Sequence, residues 1–262
     1  MNTETEPIRS VPPPAPAAAP APRAPLRTAA RVLGELLVTA GLVVLLFVVY
    51  ELWVTDWFAA RDQQALDQQV HQTWSAPGTP GVDPTSVPVG AAFAVLRIPR
   101  LGADFSRVVV EGSGQDELAQ GPGHYVGTAF PGQPGNVAIA GHRVGKGSPF
   151  LDLDVLQPGD AVVVETQNYW FTYRVLGDPA TGDFTTDPSG IPGQEIVLPT
   201  AVDVIAPTPD ALDSAPTGNY LTLTTCHPKF SARQRLVIHA VQDGGPVAKV
   251  DAPDGPPALT GK

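Results

Sequence analysis

The chain has 262 residues, with 16 Lys and Arg against 26 Asp and Glu, a formal net charge of −10 and a single cysteine. That charge, with no clustered Lys and Arg, excludes a nucleic-acid partner, because neutralising phosphates takes grouped cations. One cysteine excludes an internal disulfide, so the fold must rest on an apolar core, and an unpaired thiol in an exported protein is a candidate reactive group.

Residues 1–31 are dominated by Pro and Ala, including the run Val11-Pro-Pro-Pro-Ala-Pro. Such a segment has too little apolar surface to offset the entropy of ordering it, and a disordered tail is expected. Residues 32–54, VLGELLVTAGLVVLLFVVYELWV, form an apolar run long enough for a helix to cross a bilayer core. Glu35 and Glu51 lie near its ends, where a carboxylate reaches the headgroups, and Trp53 and Trp57 suit the interface. Arg9, Arg23, Arg27 and Arg31 precede the run, whereas Glu51, Asp56, Arg61 and Asp62 follow it, which predicts a cytoplasmic N-terminus and an external domain. A cleaved secretory signal fits less well, since the run exceeds a signal core and no small-residue cleavage site follows.

Residues 55–90 read as a stalk helix, with Leu66, Val70 and Trp74 spaced four apart, and then a Pro/Gly linker from Ala76 to Gly90. Residues 91–243 hold eight β-branched or aromatic runs: Phe93–Ile98, Arg107–Val110, Asn136–Ala140, Ala161–Thr166, Tyr169–Leu176, Ala201–Ile205, Tyr220–Thr225 and Arg235–Val241. Gly, Pro, Asn or Asp clusters separate most of them, and no long amphipathic helix lies between them. The expected fold is all-β, an eight-stranded barrel with short helices, closed so that no sheet edge is exposed. Residues 244–262 return to Gly, Pro and Ala and are expected to form a second disordered tail.

Two strands end in chemistry. Asn136-Val-Ala-Ile-Ala-Gly-His142 delivers an imidazole just past one strand, and Tyr220-Leu-Thr-Leu-Thr-Thr-Cys226 delivers the thiol past another, with Arg235 opening the last. A thiol, an imidazole and a guanidinium on rigid strand ends suit a nucleophilic site, because nearby cations stabilise the thiolate.

The segments NVAIAGHR, TLTTCHP and RLVI resemble the histidine, cysteine and arginine strands of sortases, and GPGHYVGTAFPGQPGN with TCHPKFSARQRL is most similar to class E sortases of high-GC Gram-positive bacteria. The resemblance covers roughly 90–243 and the general N-terminal anchor layout. It implies a sortase β-barrel and transpeptidation on a C-terminal sorting signal of secreted proteins, Leu-Ala-x-Thr-Gly-like or Leu-Pro-x-Thr-Gly-like. The acceptor it implies is a peptidoglycan precursor amine. By the same resemblance Cys226 is the nucleophile, His142 the acid/base and Arg235 the oxyanion or substrate-positioning group. Tyr125, Thr224, Thr225 and His227 are expected substrate contacts. No metal, ATP or other cofactor is required, since a thioester conserves the energy of the cleaved peptide bond.

Each of these residues has a plainer reading. A lone Cys on an apolar strand is often a small buried hydrophobe, but His227-Pro228 directly after it breaks the chain and favours exposure. His124, in Gly-Pro-Gly-His-Tyr, is the rival base, though its setting suits a backbone contact in a loop. Arg143 and Arg233 compete with Arg235 and read as surface charges or supports for the site. His71 and His239 belong to no recognisable group. Asp152 and Asp154 lack the Gly-containing loop of a calcium site, and zinc on Cys226, His227 and His142 lacks a fourth ligand. The alternative function is a membrane-tethered β-barrel binding or scaffold module of the cell envelope whose thiol is incidental.

Overall fold

The computed structural model describes residues 25–50, 55–75 and 87–260. The Pro/Ala tail up to residue 24, the last positions of the apolar run including Trp53, and linker residues 76–86 lie outside the described residues, as does the side chain of Trp57. Two units are present, one of residues 1–47 and one of residues 48–262.

Helix α1 runs from Pro25 to Val49. Its start at a proline is favourable, because the missing N–H is one that the first turn leaves unbonded anyway. Arg27–Val49 is long and apolar enough to cross a membrane: 23 residues rise about 34 Å against a hydrocarbon core of about 30 Å. Leu33, Leu37, Val43, Leu45 and Phe47 are all exposed. Apolar side chains on every face make α1 a candidate single-pass membrane anchor.

Helix α2 (Thr55–Ser75) uses its four-apart stripe to pack on the domain. Val70 is buried with Val95 and Val108, and Leu66 and Trp74 cover them. The domain then follows as β1 (Ala92–Arg97), β2 (Ser106–Glu111), a short helix α3 (Gln115–Gln120), β3 (Gly123–His124) and β4 (Gly135–Ala140). After these come β5 (Ala161–Glu165), β6 (Tyr169–Val175), β7 (Gln194–Val197), β8 (Asn219–His227), β9 (Gln234–Gln242), β10 (Val247–Ala248) and a last turn of helix, α4 (Pro257–Thr260).

Eight strands form a ring in the order β6-β5-β1-β2-β3-β4-β8-β9, and β9 closes it by pairing back to β6, with Val175 opposite Ala240. Closure uses only Ala240–Gln242 of β9, and the remaining edge, Arg235–Ile238, is covered by β7, while β10 lies outside the ring on β6. Alternation then fills the interior: Val137 and Ile139 of β4, Leu221 and Leu223 of β8, and Leu236 and Ile238 of β9 join one core with Leu96, Phe150 and Tyr173. Each large apolar side chain so buried contributes roughly 1.5–3 kcal/mol relative to exposure.

Three expectations are corrected. Ala201–Ile205 is not a strand but a loop ending in a 3-10 turn at Asp203–Ile205, and the strand of that region is β7, which pairs antiparallel with β9. The segment after residue 243 is not a loose tail: Val247 and Ala248 pair with Trp170 and Tyr169, the Trp170 indole donates to the Ala252 carbonyl at 2.9 Å, and Lys249 meets buried Glu165 at 2.6 Å. His71 has neighbours as well, approaching Asp67 and Glu165 at 3.6 and 3.8 Å and meeting Trp74 edge-on.

Candidate active site

Strands β4, β8 and β9 are neighbours in the ring, and their registers bring three side chains to one end. β4 runs parallel to β8 with Ala140 opposite Thr224. Beyond β4, Gly141 N donates to the Thr224 carbonyl at 3.0 Å and Thr225 Oγ1 donates to the Gly141 carbonyl at 2.8 Å, so the strand end is tied down one residue before His142. β8 and β9 are antiparallel with Cys226 and Arg235 as direct partners. His142, Cys226 and Arg235 therefore stand on three adjacent strand ends.

Alternation places them on the outer face. Leu221, Leu223 and Leu236 point into the core, so Thr222, Thr224 and Cys226 of β8 and Arg235, Val237 and His239 of β9 share the opposite face. Cys226 is free and half-buried. Gly141 matters for close approach: a Cβ there would lie 2.5 Å from the Phe150 ring, whose backbone N–H donates to the His142 carbonyl at 3.1 Å.

Burial lowers the His142 pKa below its usual value, and the charge of Lys146 lowers it further. The neutral, basic imidazole is thereby favoured at rest. Arg235 Nη1 donates to the carbonyls of Ala232 at 3.0 Å and Gln234 at 3.1 Å, which braces one arm of the fork and keeps Nε and Nη2 as donors for an anion. Arg233 is exposed in the turn.

Arg143 is buried, not a surface charge. Its Nη2 meets Asp154 at 2.7 Å, Nε donates to the Leu151 carbonyl at 3.4 Å, and Nη1 donates to the Cys226 carbonyl at 3.4 Å and to His227 Nδ1 at 3.2 Å. Since a guanidinium only donates, His227 Nδ1 is the acceptor. The residue after the imidazole thus holds the backbone of the thiol, and Lys229 with Asp152 at 2.9 Å adds a second bridge between the same two loops.

Tyr125 follows β3 and reaches Thr224, hydroxyl to hydroxyl at 2.9 Å. The rival base His124 is fully buried, with Nδ1 2.7 Å from Glu111 and Nε2 3.0 Å from the Ala129 carbonyl, so it anchors the loop that carries Tyr125. Thr225, expected to touch substrate, is buried and engaged with Gly141. Sequence reasoning also missed His239, which lies buried on the face of Cys226 against Thr222 and Glu195. Its signal was only its parity with Arg235 along β9.

The family model of the sortase domain matches residues 96–243, more than half of the chain. The chain belongs to the sortase family. It is 34% identical to Sortase SrtE1 of Streptomyces coelicolor over 80% of this chain and 56% of that protein, and 33% identical to Sortase SrtE2 of the same organism over 82% of this chain and 84% of that one. The chain thus spans little more than half the length of the first of these relatives. The structure of sortase E from Streptomyces avermitilis superposes with a TM-score of 0.53 at 38% identity, covering 66% of this chain and 99% of that one. This sortase is class E-like, and its closed barrel is the sortase fold.

Proposed function

We propose that this sortase is a cysteine transpeptidase held in the cell membrane by α1, with its N-terminus in the cytoplasm and the barrel outside. Its substrates are secreted proteins with a Leu-Ala-x-Thr-Gly-like or Leu-Pro-x-Thr-Gly-like signal near the C-terminus. Neutral His142 takes the proton of the Cys226 thiol, and the thiolate attacks the Thr carbonyl, forming an S–C bond and a tetrahedral oxyanion that Arg235 holds with neighbouring backbone N–H groups. The C–N bond to Gly then breaks, and protonated His142 gives its proton to the departing amine. An amine of a peptidoglycan precursor attacks the thioester, His142 takes its proton, and the thiolate is released. Tyr125, Thr224 and His227 line the approach to the thiol.

The observation that carries this reading is the register: Cys226 opposite Arg235 on β8 and β9, with β4 delivering His142 beside them. The test incubates the protein in detergent with Leu-Ala-x-Thr-Gly and Leu-Pro-x-Thr-Gly peptides and an amine nucleophile. Peptide joined to amine after Thr is the expected product; intact peptide, with the protein folded, would reject the reading.

A further inference from the structure

On the outer face that carries Cys226, four residues back along β8 and about 13 Å away, Thr222 stands opposite His239 of β9. His239 is fully buried. Its Nδ1 lies 2.8 Å from Thr222 Oγ1, which lies 2.8 Å from Asn136 Oδ1, and Asn136 Nδ2 donates to the Val204 carbonyl at 3.2 Å. A carbonyl only accepts, so Asn136 must turn its NH2 to Val204 and its oxygen to Thr222. The single hydroxyl proton of Thr222 then goes to Asn136, and Thr222 must accept from His239. A weaker 3.4 Å contact of the same hydroxyl with the Val204 carbonyl takes the proton in the same direction, away from the imidazole.

Nδ1 therefore carries the ring proton, and in the neutral imidazole Nε2 presents a lone pair. Nε2 lies 3.0 Å from Glu195 Oε1, and two lone pairs meet at that distance only with a proton or a metal ion between them. Asp210 completes the group, and one ligand atom from each of the three residues lies within 4.8 Å of the others. Glu195 and Asp210 are themselves side-chain hydrogen-bonding neighbours. Three ligand atoms thus converge on one point.

We propose that His239 Nε2, Glu195 and Asp210 bind a divalent transition-metal ion of the zinc type, with Thr222 and Asn136 fixing the imidazole. Ligand distances of about 2.0–2.1 Å in a tetrahedron put donor atoms about 3.3 Å apart, so the trio, whose atoms lie within 4.8 Å, would draw in around the ion. An imidazole with two carboxylates selects zinc, cobalt or nickel over calcium, which takes six or more oxygens. A partner on the second ring nitrogen is what a ligating histidine requires, and Thr222 supplies it. Asp210 is exposed, so the ion can enter from solvent and keep a water in its fourth position. Bound there, the ion links β7, the loop at Asp210 and β9, the strand that also carries Arg235.

The test uses the full chain in detergent, stripped with chelator and carrying Cys226→Ala so that the thiol is no ligand. Zn2+ alone is titrated by calorimetry, and Co2+ by its visible absorption. One equivalent per chain with tetrahedral Co2+ bands is expected. Asp210→Asn retains a residue that tolerates the positive φ of 63° at this position, and Glu195→Gln is nearly isosteric. Each should weaken Zn2+ binding by at least about tenfold, and Thr222→Val by about 10–100-fold, the usual effect of removing a ligand's outer partner. No stoichiometric binding at micromolar Zn2+ would overturn the proposal, since a proton then occupies the site. Binding unchanged in both folded carboxylate variants would overturn it too, by placing the metal elsewhere.

Discussion

Gly141→Ala tests how tightly the base is positioned. The new Cβ would fall 2.5, 2.7 and 3.0 Å from Cδ2, Cε2 and Cγ of Phe150. Non-bonded carbons rest about 3.5–4.0 Å apart, so about 1 Å of displacement has to be found. Phe150 is fully buried in the main core and has no route to solvent. The displacement then falls on the strand end, against the two hydrogen bonds that tie Gly141 to Thr224 and Thr225, and His142 is the next residue. Overpacking of this kind costs about 1–3 kcal/mol, or a fall in Tm of about 2–12 °C at this size. A 1 Å misplacement of a catalytic group costs about 100-fold, so kcat should drop on that scale while KM changes little. Differential scanning calorimetry and peptide-transfer kinetics read the two effects. Adding Phe150→Leu, which removes the ring edge, should recover part of both, with the coupling expected of residues in contact. Wild-type kcat in folded Gly141→Ala would refute the reasoning, as would a double variant no better than the single one.

Arg235→Lys keeps the charge but loses the fork, and should lower turnover by about 100–1000-fold, whereas Arg233→Lys should be nearly silent; paired kinetics with circular dichroism as the folding control decide which arginine acts. Lys146→Gln removes a cation that lowers the His142 pKa, so NMR titration should find the imidazole protonating at higher pH than in the unaltered protein. The sign for stability follows: a depressed His142 pKa favours the fold above the unfolded value, and this contribution is lost as pH falls through the folded value, less so in Lys146→Gln. Protease added to intact, wall-stripped cells should remove the barrel, and protection there with digestion in lysed cells would reverse the proposed orientation.

The sequence showed strands best where they alternate. Tyr220–Thr225 and Arg235–Val241 carry period-two patterns because one face enters the core, and the same parity put Cys226 and Arg235 on a common face. Gln194–Val197 carries no such pattern; it is a strand because β9 offers it a free edge, while Ala201–Ile205 has β-branched residues but turns at Asp203. The segment after residue 243 has the composition of a tail and is ordered by distant partners, Trp170 and Glu165. Arg143 was legible as a support for the site but its partners Asp154 and Cys226 were not, and His239 was illegible for the same reason: Asn136, Glu195 and Asp210 are brought to it only by the closed ring.

The most direct test of the central claim is intact-mass spectrometry of the protein incubated with a sorting-signal peptide and no amine acceptor. The account predicts an adduct equal to the peptide up to and including Thr, mapped to Cys226, cleared by hydroxylamine and absent in Cys226→Ala. Peptide cleaved between Thr and Gly with no adduct on Cys226, or cleaved equally by Cys226→Ala, would contradict it.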